Sequence, residues 1–143
     1  MLKEAAKHPL ALFNLGVLHH EHMAQAVMAG EGAGDAPEDP VKQMTWTQKN
    51  MEKAIKQYEK GRDYYQDFLD SYEGDKARWT KDARKRVDNI GKLVDTMRDQ
   101  IDQLEEQKGE LSQMLEQQKE EEAAAKAAEE KAAADAAAKE EEA

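Results

Sequence analysis

The sequence predicts an all-α protein, and three observations carry that expectation. Apolar residues recur three and four apart along three separate stretches, the spacing of a helix face buried against a neighbour. Residues 30–40 hold three glycines and two prolines in eleven positions, and this cluster separates the first stretch from the second. The last 24 residues are built almost wholly from Ala, Glu and Lys, which have high helix propensity.

The first helix is expected over residues 2–29, where Leu12, Leu15, Leu18, His19, His22, Met23 and Ala26 keep the helical spacing. Pro9 follows His8 at a place where a first helical turn tolerates proline. The loop at 30–40 comes next. A second helix is expected over 43–72, with Met51, Ile55, Tyr58, Tyr65, Leu69 and Tyr72 in four-three alternation and Arg62 in the one missing place. Thr45 or Thr47 offers an N-terminal cap, and Gly74-Asp75 marks the stop.

A third helix is expected from about Thr80. Val87, Ile90, Val94, Met97, Ile101, Leu104, Leu111 and Leu115 trace an a/d heptad seam, the pattern of a coiled coil or a long helical hairpin. Lys108 occupies an a position and Gly109 follows it, so the seam weakens there. Residues 120–143 form a low-complexity tail in which nine acids against three lysines give −6. A solvated single helix is the expected state of such a segment.

Two stretches resemble the tetratricopeptide repeat. Ala11-Leu12-Phe13-Asn14-Leu15-Gly16-Val17-Leu18-His19 is similar to its first helix, with Leu12, Leu15, Gly16 and His19 in the large-Leu-Gly-aromatic positions. Ala54-Ile55-Lys56-Gln57-Tyr58-Glu59-Lys60-Gly61 is similar to its second, with Ala54, Tyr58 and Gly61 in the small-aromatic-small positions. Small residues let two antiparallel helices approach, and large ones fill the space between them. The chain departs from the repeat in a long insertion between the two helices and in Gln66, which stands where a closing proline is usual. The resemblance implies a tetratricopeptide-like antiparallel hairpin over 1–79; the heptad spacing adds a coiled-coil-like helix over 80–119, and composition sets off the tail at 120–143. The run from "FNLG" through "AIKQYEKG" and "KDARKRV" to a Gln/Glu-rich helix also looks like the bacterial Bat aerotolerance-operon tetratricopeptide proteins. That likeness implies a partner-binding scaffold at the bacterial envelope or periplasm.

Composition narrows the function. A net charge of −10 over 143 residues argues against nucleic acid and anionic membranes as main ligands. Cysteine is absent, so thiolate catalysis and Cys-based zinc sites are excluded. Nothing approaches 18 consecutive apolar residues, and Met1-Leu2-Lys3-Glu4 lacks the apolar core of a signal peptide. A soluble chain, cytoplasmic or anchored at the envelope through something outside it, is therefore expected. The eight aromatics all lie between Phe13 and Trp79, which confines a packed core to the first 80 or so residues.

Candidate sites are few. His19 and His22 would share a face of an α-helix and are the weak metal candidates, although His19 is more simply read as filling an aromatic packing position. Gly30, Gly32 and Gly34 sit in an acidic setting with no following Lys-Ser/Thr, unlike a phosphate loop. No cofactor and no catalytic constellation is expected. Lys76, Arg78, Lys81, Arg84, Lys85 and Arg86 against Asp75 and Asp82 give a local +4 around Trp79, suited to an acidic protein surface or to the acidic tail. Tyr58, Tyr64, Tyr65, Phe68, Tyr72 and Trp79 are too dense for one helix face and are the candidate partner-binding residues; Tyr58 and Tyr65 are expected inward, Tyr64 and Trp79 available. The expected function is a non-enzymatic, acidic protein–protein interaction scaffold, its partner another protein or a second copy. The alternative is a structural homo-oligomer built on the 87–115 seam.

Overall fold

A computed structural model of the chain describes residues 8–71 and 77–142, and among them there is no strand. The protein is all-α. Helix α1 (Pro9–Val17) runs into a π-helical turn (Leu18–Met23) and then α2 (Ala24–Met28). Helix α3 is Pro40–Ser71, and α4 is Ala77–Glu142. The chain divides into two compact units, Met1–Glu105 and Glu106–Ala143.

Local chemistry sets these boundaries. Pro9 sits in the first turn of α1 behind an extended His8, where a missing N–H costs nothing. The connection after α2 turns through Gly30, Gly32 and Gly34, all with positive φ (87°, 77° and 74°), a region that side chains disfavour. Trp46 Nε1–H donates to the carbonyl of Ala33 at 3.3 Å and ties that loop to α3. The Lys42 backbone N–H donates to Asp39 Oδ1 (2.9 Å) ahead of Pro40, so Asp39 caps α3. Neither Thr45 nor Thr47 does so. Their hydroxyls lie inside the helix and donate back to the carbonyls of Val41 and Gln43. Helix α4 starts at Ala77, three residues before the expected Thr80, and Gly91 and Gly109 lie within it without ending it. The expected stop at Gly74-Asp75, the expected opening of the first helix at 2–7 and the side chain of Tyr72 fall outside the described residues.

Within the first unit the pairing of residues fixes the register. Gly16 lies on Tyr65, His20 on Gly61, and Gly30 on Trp46, so the first arm, α1 through α2, runs antiparallel to α3. Tyr65 pairs with Arg86, Glu59 with Arg98, and Gln48 with Ile101 and Glu105, so α4 is antiparallel to α3 as well. The closest approach is at two glycines. A Cβ on Gly16 would lie 2.6 Å from the Tyr65 ring, and one on Gly61 would lie 3.1 Å from the Gly16 carbonyl oxygen. The core between the helices gathers Leu12, Phe13, Ala24, Met51, Ala54, Ile55, Tyr58, Tyr65, Phe68, Ala83, Ile90, Val94 and Met97. Burial of side chains of this size is the main source of stability, about 1.5–3 kcal/mol for each large one.

The second unit is the helical stretch from Glu106 to Glu142. From Glu116 onward every described side chain is exposed. Alanine, Glu and Lys at high propensity keep such a segment helical without a packed face.

Candidate interaction surface

Phe13 organises the aromatic residues. Its ring meets Tyr65 and Phe68 at 5.4 Å and Trp79 at 5.0 Å, each edge-to-face. Because α1 brings Phe13 and Gly16 onto α3, the aromatic face of α3 is covered from within the chain. Tyr58 (4% exposed), Tyr65 and Phe68 (both 0%) are therefore core residues: Tyr58 and Tyr65 turn inward as expected, and Phe68, counted among the partner-binding candidates, is covered as well. Tyr64 is half-buried beneath His19, whose ring stacks on it at 5.4 Å and 16°. Trp79 is also half-buried, edge-on to Phe13.

The π turn holds the whole His19-His20-Glu21-His22 cluster, and the Ala24 N–H donates five residues back to His19. The wider winding fans successive side chains differently from an α-helix. His19 turns to α3, where its Nδ1 lies 2.7 Å from Gln57 Oε1, while His22 stays exposed. The two weak metal candidates thus have separate surroundings. Among the described residues no group of three or more His, Asp or Glu side chains is placed to hold a metal ion.

His20 and Glu21 join a polar network centred on Arg86 at the edge of the core. Its Nη1 donates to Glu21 Oε1 at 2.6 Å and to Tyr65 Oη at 3.2 Å, and its Nε donates to Asp82 Oδ2 at 3.2 Å. The guanidinium lies 5.6 Å from the Phe13 centroid and 5.7 Å from that of Tyr65, within cation–π range. His20 Nδ1 is 3.3 Å from Tyr65 Oη. Burial, and then the Arg86 charge, hold the His20 pKa below its usual value. The hydrogen bond from Arg86 holds the Glu21 carboxyl below its own. Burial pushes the Tyr65 hydroxyl up. The Tyr65 oxygen accepts from Arg86 and lies within hydrogen-bond distance of His20 Nδ1. This network locks three elements together: the π turn, α3 and α4.

The basic run divides accordingly. Arg86 turns inward, and Arg84 lines a groove with Gln66, Leu69 and Asp70. Arg78, Trp79, Lys81, Asp82 and Lys85 line a cleft of about 520 Å³. Asp82 is engaged by Arg86. Among the described residues no acid pairs with Arg78, Lys81 or Lys85. A second cleft of about 450 Å³, between α3 and α4, is lined by three acids and two cations and is crossed by the Arg98–Glu59 ion pair.

The heptad seam is split. Ile90, Val94 and Met97 are buried in the core of the first unit, and Val87, Ile101 and Leu104 pack against it. In the second unit Leu111 and Leu115 are half-exposed, and that unit contains no other helix. Exposed apolar residues that periodicity alone did not single out for exposure include Leu10, Leu93 and Met28. Among the described residues no helix is long and apolar enough to cross a membrane.

Comparison of the chain with protein-family models, with curated proteins and with solved structures gives no match in any of the three.

Proposed function

We propose that the protein is a non-catalytic interaction scaffold whose partner-facing surface is the Trp79 cleft. One observation carries the reading: three cations without described acidic partners, Arg78, Lys81 and Lys85, surround a half-buried indole in an open cleft. An aromatic anchor flanked by charge is a common form of interaction hot spot. The tetratricopeptide resemblance favours the same class of function, since a hairpin packed through Gly16 and Gly61 is a rigid platform for a surface beside it. The likeness to the Bat proteins extends this to a scaffold at the bacterial envelope.

Site-specific photo-cross-linking tests the reading. A benzophenone side chain at position 81 is expected to give a discrete protein adduct in cells, lost when Arg78→Glu and Lys85→Glu are added. Circular dichroism of the variant confirms that the helices persist. Labelling no stronger than from exposed position 100, on another part of α4, overturns it.

A second reading rests on Leu111 and Leu115, which extend the seam beyond the residues that pack in the first unit. It makes the protein a homo-oligomer through that stretch. Sedimentation of a Leu111→Lys, Leu115→Lys variant tests it, and an unchanged mass overturns it. Ile90→Lys is unsuited to that test, because Ile90 is fully buried within its own chain.

A further inference from the structure

We infer that the Trp79 cleft takes the Glu-rich tail of a second copy of this chain. The inference rests on the interaction reading above and names its partner. Two charged features remain after the internal contacts are assigned. One is the cleft, where Arg78, Lys81 and Lys85 have no described acidic partner and outnumber Asp82, which is held by Arg86. The other is the tail, with acids at 120–122, 129–130, 135 and 140–142, net −6, and no described side chain buried.

The two are opposite in sign, and both lie on helical segments. Arg78, Lys81 and Lys85 are spaced three and four apart, so they line one face of α4 over about 10 Å. The tail is helical, and between its acidic runs at 120–122 and 129–130 it carries five alanines and the single cation Lys126. Alanine lets a helix backbone come close to a flat ring, and Trp79 supplies that ring in the cleft. Carboxylates flanking the alanines then reach the cations on either side. Contacts of this kind are partly exposed, so the association is modest and screened by salt.

Sedimentation velocity on the full chain tests this. Concentration-dependent self-association is expected at about 20 mM salt, weakened about tenfold or more at about 300 mM. A head-reversed variant (Arg78→Glu, Lys81→Glu, Lys85→Glu) and a tail-reversed variant (Glu120→Lys, Glu121→Lys, Glu122→Lys) should each associate about tenfold more weakly than the parent. Mixed in equal amounts, they should associate again, since opposite charges are restored between molecules. None of these positions lies in the core, and circular dichroism checks that each variant is helical.

A parent chain that stays monomeric at low salt up to about 1 mM overturns the inference. So does self-association that survives head reversal, or that Leu111→Lys abolishes while head reversal does not. A tail that closes on its own chain gives a monomer at every concentration and likewise overturns it. In each of those cases a charge-dependent cross-link from position 81 to a different protein leaves the broader interaction reading standing. Loss of both signals removes both.

Discussion

Gly16 faces the ring of Tyr65 so closely that a methyl group on it would lie 2.6 Å from both Cδ1 and Cε1. Tyr65 is fully buried, with Phe13 on one side and Arg86 bonded to its hydroxyl, so the ring has nowhere to retreat. The contact between the first arm and α3 is therefore set by the absence of a side chain.

Gly16→Ala should destabilise the protein by about 1–3 kcal/mol, because overpacking a well-filled core outweighs the gain of up to about 1 kcal/mol from alanine's helix propensity. Gly61→Ala should act the same way, since its methyl would meet the Gly16 carbonyl oxygen at 3.1 Å. Urea denaturation of both variants checks this. A Gly16→Ala protein as stable as the parent contradicts the packing described.

Glycines in open positions give the contrast. Gly91 and Gly109 lie inside α4 with no neighbour within 4 Å of where a methyl group would sit, so alanine there should stabilise the helix by about 0.5–1 kcal/mol. Gly32 is equally uncrowded but has φ +77°, so Gly32→Ala should cost about 1 kcal/mol through backbone conformation alone. Thermal melts should rise for the first two variants and fall for the third.

Arg86 is the common partner of Glu21, Tyr65 and Asp82. Arg86→Met keeps the apolar stem and removes the guanidinium; the expected loss is about 1–3 kcal/mol. Glu21→Gln should cost less, about 0.5–1 kcal/mol, because that carboxylate is 46% exposed and water replaces part of the contact. A double-mutant cycle measures the coupling. Strict additivity of the two changes would show that the pair contributes nothing as a pair.

Acidification should weaken the fold in two stages of the same sign. Burial and the Arg86 charge depress the pKa of His20 in the folded state, so the unfolded chain takes up its proton first. That contribution is complete above the ordinary value of 6.5 and declines as pH falls below it towards the folded pKa. Glu21, depressed by its bond from Arg86, adds stability that is complete above 4.5 and is lost as pH falls through its folded pKa. Unfolding free energies at pH 7.5, 5.5 and 4 should decrease in that order. His20→Gln should flatten the upper step and Glu21→Gln the lower. A parent protein more stable at pH 5.5 than at 7.5 contradicts the buried placement of His20.

Much of this architecture is legible in the sequence because packing writes a period. Met51, Ile55, Tyr58 and Tyr65 mark one face of α3, while Ile90, Val94 and Met97 mark the face of α4 that meets the core. Gly16, Ala54 and Gly61 mark where backbones approach. Adjacent aromatics separate by phase, since Tyr65 falls on that face of α3 and Tyr64 does not, but the burial of Phe68 and the packing of Trp79 on Phe13 required the fold. The cap was open to reading, because Asp39-Pro40 combines a capping side chain with a proline fit for the first turn. The π turn left no comparable mark, and the α-helical spacing assumed for His19 and His22 gave them a shared face that they do not have. Charge was legible as a run, but its division between the Arg86 network and an open cleft required the fold.

The π turn also has an evolutionary reading. Winding Leu18–Met23 one residue wider than an α-helix amounts to an insertion held inside a helix without a loop to absorb it. A homologue that keeps an unbroken α-helix here should be one residue shorter between Val17 and Ala24. In such a chain Glu21 and Arg86 should be lost or replaced together, because the remaining residues would be rotated away from the partner they now share.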